Sequence, residues 1–226
     1  MAFKSDTEGA VSIKRSAVTV TEAYVNMCKK TSKGYTLIIG KREIEKMDLI
    51  YDYLDDIQGD IFSLDRKELE KKYFEICKHT VNKDIAQKIQ QVDLNNYTAS
   101  LIQKFQQILQ HSAIKDLTAI YFEYDIDNNW EGTFFPCPDY ISLSEEDDDW
   151  AADWIEVVDG PSLPPFSEIY DQYGGFEEDD EAGVTIYLIV RTILAFMASA
   201  QFVNTDVPVC IAYHDQDPII RIKEDE

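Results

Sequence analysis

The chain has 226 residues, 45% of them apolar and including 3 Trp, 13 Tyr and 11 Phe, which is enough to bury one sizeable core and too apolar for a disordered acidic polypeptide. Its net charge of −22 is confined to one half: residues 1–118 carry 18 Lys+Arg against 17 Asp+Glu, residues 119–226 only 3 against 26. A field of that sign repels phosphate, excluding nucleic acid as a partner of the C-terminal half, and attracts basic proteins.

Residues 1–17 are polar and aperiodic and read as a loose N-terminal arm, with residues 18–226 as a single domain. The opening "MAFKSDTEGAVSIKRSAV" lacks the continuous apolar run of a secretory signal. Cys28, Cys77, Cys137 and Cys210 lie 49, 60 and 73 residues apart with no CxxC pair, so reduced thiols in a cytoplasm are expected, without zinc, dithiol chemistry or a cofactor. From about residue 20 the period is helical, first in "TEAYVNMCKK" and then in "KREIEKMDLIYDYLDDIQ", where Met47, Ile50, Leu54 and Ile57 share a face. "KGYTLIIGK" between them fits a short strand or a glycine-bounded connection.

In "SLDRKELEKKYFEICKH", Asp65 and Glu68 stand in capping-box relation, and Leu69, Tyr73, Ile76 and Cys77 form the apolar stripe. In "NNYTASLIQKFQQILQH", Asn95 or Asn96 can cap, and Tyr97, Leu101, Phe105, Ile108 and Leu109 form the next stripe. The period then shortens to two. "LTAIYFEYDIDNNWEGTFF" sets Ile120, Phe122, Tyr124 and Ile126 against Tyr121, Glu123 and Asp125 and turns at "DNN"; "VPVCIAYHDQDPIIRIK" repeats the form. Two hairpins, near 117–136 and 207–223, predict an antiparallel sheet of about four strands. The fold class is α+β, with N-terminal helices packed on that sheet and an acidic helical insertion between the hairpins.

The insertion opens with "SLSEEDDDWAADWIEVVDG", residues 142–160. Ser142 or Ser144 can cap a helix over 145–158, in which Glu145, Glu146, Asp147, Asp148 and Asp149 form the first turns and Trp150 and Trp154 share a face next to Asp149 and Asp153. That face fits an interface anchor. It equally fits a buried stripe with a solvated rim. "GPSLPP" interrupts any helix, "FSEIYDQY" resumes one, and "GGFEEDDEAG", with Glu177, Glu178, Asp179 and Asp180, reads as a mobile acidic loop, either solubilising or a further contact for a basic partner. The apolar stretch 183–203 has the length of a membrane span, but Arg191 at its centre and acidic residues before it favour a buried core element.

Catalytic patterns are sparse. His214, Asp215 and Asp217 have metal-ligand chemistry, yet the same residues followed by proline make an ordinary turn. No Gly-x-Ser-x-Gly or phosphate-binding glycine loop is present, His79 and His111 fall on polar helix faces, and Glu123, Asp125 and Glu131 could pair across the first hairpin.

The aromatic-acidic hairpin "YFEYDIDNNWEGTFF", the "DDDWAADWIE" element and the terminal "HDQDPIIRI", within residues 117–223, together resemble the small acidic immunity proteins of bacterial polymorphic toxin systems. The resemblance implies a chain that catalyses nothing and neutralises a basic toxin domain. Glu145 to Asp149 and Asp153 would meet the basic cleft, with Trp150 or Trp154 in a pocket. A metal-assisted hydrolase using His214, Asp215 and Asp217, and a structural or scaffold subunit, are the alternative readings.

Overall fold

A computed structural model describes residues 28–31, 34–37, 48–111, 116–145 and 147–224. The chain divides into two compact units, residues 1–43 and 44–226. In the first, β1 (Cys28–Thr31) and β2 (Gly34–Leu37) form an antiparallel hairpin with Cys28 opposite Leu37. The strand expected in "KGYTLIIGK" is therefore present, whereas Cys28–Lys30, expected at the end of a helix, are extended. The expected arm, residues 1–17, lies outside the described residues.

The second unit begins with four helices: α1 (Asp48–Ser63), α2 (Arg66–Thr80), α3 (Lys83–Gln90) and α4 (Asn95–Gln110). The capping box is made as the sequence predicts, Asp65 Oδ1 accepting from the N–H groups of Lys67 and Glu68 at 2.8 and 2.9 Å. Asn95 and Asn96 do not cap α4; Asp93 reaches the Asn95 N–H instead, at 2.9 Å. The stripe Tyr97, Leu101, Phe105 and Ile108 is buried, while Leu109, one step further round the helix, is exposed.

The sheet follows. β3 (Ala119–Asp125) and β4 (Glu131–Cys137) are the first hairpin, β5 (Val158–Asp159) lies outside β4, and β6 (Val209–Tyr213) with β7 (Ile220–Lys223) is the second hairpin. Strand order is β5-β4-β3-β6-β7, and β3 runs parallel to β6, with Ile120 opposite Val209. The α+β class thus holds, but the sheet has five strands and is mixed. Alternating burial specifies which side chains face the core and is indifferent to strand direction, so the sequence could not set the polarity of the central pairing.

Two elements separate the hairpins: α5 (Pro164–Tyr173) and α6 (Asp179–Val203). The prolines of "GPSLPP" do not stop α5 but start it, since the first helical turn has no N–H bonds to lose. Asp179, Asp180 and Glu181 form the first turn of α6, where the exposed N–H groups favour carboxylates, so half of the expected acidic loop is helix.

α6 has the length and composition of a membrane span, and 61% of its apolar window is buried inside the protein. Arg191 has a partner there: its Nη1 donates to the carbonyls of Ile89, Gln90 and Val92 at 2.5, 2.8 and 3.3 Å, satisfying the C-terminus of α3. Gly183 lets α6 approach α2, because a Cβ at that position would collide with the Thr80 hydroxyl.

The helices cover one face of the sheet, where Ile120, Phe122, Tyr124, Phe134, Val209 and Ile211 join the main core. The β3–β4 turn is tied to that core by Trp130. Its φ of 55° is costly for a bulky residue, but its ring is buried against Tyr124 and Phe166 and its Nε1 donates to Thr192 Oγ1 at 3.0 Å.

Candidate functional site

Residues 142–157 do not form the expected α-helix. Among the described residues of this stretch there are two short 3₁₀ helices, Leu143–Glu145 and Asp149–Ala152. Aspartate side chains account for the difference, because they compete for backbone groups that a helix would use. Asp147 Oδ1 accepts the Asp149 N–H at 2.9 Å, and Asp148 Oδ2 accepts the N–H of Ile219 at 2.7 Å. Neither Ser142 nor Ser144 caps; the two hydroxyls bond each other at 2.9 Å.

Asp148 is drawn away from its own segment by Arg221. This arginine, on β7, is 1% exposed, and its Nη1 lies 2.5 Å from Asp148 Oδ1. Nη1 also donates to the Ile219 carbonyl at 2.7 Å and Nη2 to that of Ile141 at 3.2 Å. Its backbone is clamped by Gln58 of α1, which accepts the Arg221 N–H at 2.7 Å and donates to the Arg221 carbonyl at 3.0 Å. Burial, the largest influence, pulls the guanidinium pKa down, but Asp148 and neighbouring groups outweigh it and hold the pKa above the ordinary arginine value. Its positive charge is permanent.

Around this pair lies an open groove of about 980 Å³. Asp55 from α1, Glu145, Asp147, Asp148 and Asp149 from the acidic segment, and Asp217 from the β6–β7 turn line it, along with Leu143, Gln216, Pro218, Ile219 and Arg221. Six carboxylates thus surround one guanidinium that is already paired. The structure brings together two stretches that the sequence suggested separately, the 145–149 run and the 214–218 turn. Glu146 lies outside the described residues.

The two tryptophans part company. Trp150 is 4% exposed, with the Arg221 guanidinium 5.7 Å from its ring centre and its edge against Tyr140. Trp154 is 48% exposed and leans on Phe135 with ring centres 5.2 Å apart. A shared face requires helical geometry, which this segment lacks. Asp153 is exposed, one residue before Trp154.

Glu177, Glu178, Asp179 and Asp180 are exposed but do not line the groove; they lead into and begin α6. Nor do His214, Asp215 and Asp217 converge. His214 Nδ1 bonds Glu123 Oε1 at 3.0 Å, Asp217 faces the groove, and among the described residues no three His, Cys, Asp or Glu side chains are grouped to hold a metal ion. The thiols of Cys77 and Cys137 are buried, and burial pushes both up to about 12, far from a reactive thiolate.

Sequence reasoning missed Asp55, Gln216 and the anchoring role of Arg221. The signal for Arg221 was its place inside "IIRIK", since a charge within an alternating apolar strand calls for a buried counter-ion. Asp55 carries no comparable signal, being one of five carboxylates on the α1 sequence. No protein-family model, curated protein or solved structure matches this chain.

Proposed function

We propose that this chain is a cytoplasmic binding protein that captures and neutralises a basic protein, in the manner of an immunity protein blocking a bacterial toxin. The observation that supports this most is the charge of the groove: Asp55, Glu145, Asp147, Asp149 and Asp217 stand around an arginine whose charge Asp148 already balances. A cationic side chain entering there meets exposed carboxylates on several sides and can form charge-assisted hydrogen bonds with more than one of them.

The uneven charge of the chain serves the same end. A C-terminal half with 3 basic and 26 acidic residues steers a basic partner from a distance and speeds encounter, while like-charge repulsion rejects anionic competitors. Neutralisation is steric and electrostatic: the partner's basic surface is covered, and no bond is made or broken by this chain.

The test is association kinetics with the protein encoded immediately upstream of this chain's gene, whose C-terminal domain this reading expects to be basic. The on-rate should fall steeply between 50 and 500 mM salt, and the double charge reversal Asp147→Lys/Asp217→Lys should slow it by at least tenfold. An on-rate indifferent to both salt and charge reversal would overturn the reading.

A further inference from the structure

Among the described residues, helices pack on one face of the sheet only. On the other, Tyr140, Ile141, Trp150, Ala151 and Ile219 cover the part built from Ala119, Tyr121, Cys137 and Cys210. Among the described residues that apolar cover does not extend to the remainder, where Glu123 accepts from the Tyr121 hydroxyl at 2.9 Å and bonds His214 Nδ1 at 3.0 Å. Strand register places Glu123 opposite Thr133, Asp125 opposite Glu131, and Thr133 opposite Asp159, so four carboxylates share this uncovered area. Directly opposed like charges destabilise a sheet, and Asp125 with Glu131 is such a pair. Among the described residues no lysine or arginine forms an ion pair with any of the four.

Beside the carboxylates runs an aromatic shelf. Trp154 leans on Phe135, and Phe135 stacks on Tyr121 with ring centres 5.6 Å apart. The chain then follows the outer edge of β4, Ile155 donating its N–H to the Pro136 carbonyl at 2.8 Å, and leaves Ile155 and Val157 exposed. Exposed apolar side chains along a sheet edge are a liability in a free protein and an asset in one that docks.

We propose that this helix-free face is a docking surface for a basic polypeptide segment: an apolar side chain of the segment rests on Trp154 and Phe135, and its lysines and arginines sit over Glu123, Asp125, Glu131 and Asp159. The inference rests on the reading that the partner is a basic protein, and adds where and by what pattern it is held. Charge selects the occupant. A second copy would set the same acidic area against its own kind, and an anionic partner would be repelled, whereas a segment that alternates cationic and apolar side chains satisfies both halves of the surface.

The probe is a short synthetic peptide, Lys-Arg-Leu-Arg-Lys, with controls in which Leu is replaced by Gly or the basic residues by Glu, titrated into the ¹⁵N-labelled full chain and followed by amide shifts. Shifts centred on residues 123–125, 131–135 and 154–159 are expected. Affinity should fall at least tenfold with Trp154→Ala or with Glu131→Lys/Asp159→Lys. Val157→Glu gives a second test that leaves the Trp154 contacts with Phe135 in place. Shifts confined to the groove, with Trp154→Ala binding as wild type, would overturn this inference and leave the basic-partner reading standing. Absence of binding at either face would overturn the inference and, with an on-rate for the whole partner indifferent to salt, the reading beneath it. Concentration-dependent self-association abolished by Trp154→Ala would assign the face to a second copy and overturn the proposal.

Discussion

Asp148 bridges the acidic segment and the last hairpin with one carboxylate, Oδ1 on the Arg221 Nη1 at 2.5 Å and Oδ2 on the Ile219 N–H at 2.7 Å. Both ends of the groove wall are therefore held by a single side chain. Asp148→Ala would strand a guanidinium that is 1% exposed, and breaking a buried pair from one side costs about 3 kcal/mol or more. Arg221→Met in the same background should recover part of that loss, because removing both charges is far milder than removing one. Urea denaturation of the two single variants and the double variant measures the coupling; additive effects would mean that the carbonyls of Ile219 and Ile141 alone suffice for Arg221.

The contact of α2 with α6 depends on the hydrogen atom at Gly183. An added Cβ meets the Thr80 hydroxyl, and Thr80 is itself held by its bonds to the carbonyls of Ile76 and Cys77 at 3.1 and 3.3 Å. Gly183→Ala should destabilise the protein by about 1–3 kcal/mol even though alanine is the better helix former. Thr80→Ala removes the struck oxygen, so the double variant should be more stable than Gly183→Ala alone. Denaturation midpoints that simply add would show the helices free to separate without cost.

Arg191 offers a different kind of test. It is the one basic residue of α6; it donates to the carbonyls of Ile89 and Gln90 at the end of α3 and of Val92 just beyond, and its Nε lies 3.5 Å from Glu70. Arg191→Met keeps the apolar length of the side chain but removes these bonds and the ion pair with Glu70, leaving the Ile89 carbonyl its Val92 N–H, at a cost of about 1–3 kcal/mol. The loss should be local as well as global: amide hydrogen exchange of residues 87–92 should accelerate more than that of the α6 centre. Uniform acceleration would mean that the arginine acts only through overall stability.

What could be read in advance follows from the range of each signal. The stripe Leu69, Tyr73 and Cys77 and the alternation through Ile120, Phe122 and Tyr124 are local patterns, and both are buried where the sequence places them. The acidic segment was misread because its conformation is decided at a distance: Asp148 follows Arg221 and Ile219 on the last hairpin, and no window around residue 148 contains them. The groove was half legible. Its acidic run and the "DQDP" turn stand out in the sequence, but their meeting depends on the parallel pairing of β3 with β6, which alternation does not encode. Trp150 and Trp154 could be separated only once helical geometry was lost.

His214 and Glu123 make the stability of the β3–β6 region of the sheet depend on pH. The Glu123 hydrogen bond, the largest influence, raises the His214 pKa above its ordinary value, with further contributions from the charges of Glu123, Asp215 and Asp125. A histidine whose folded pKa exceeds its unfolded one binds its proton more tightly in the folded state. Its stabilising contribution is complete below the unfolded value of about 6.5 and is lost as pH rises through the folded value. Because both side chains are partly exposed, the effect belongs in the range of surface pairs, under about 1 kcal/mol. His214→Gln removes the titration, so wild type should exceed it in stability at pH 5.5 by more than at pH 8.5, and the difference should shrink in 0.5 M salt. Urea midpoints at the two pH values, with the imidazole titration followed by NMR, measure both. A gap between the two proteins that stays constant with pH would show that the contact with Glu123 does not depend on the histidine's charge.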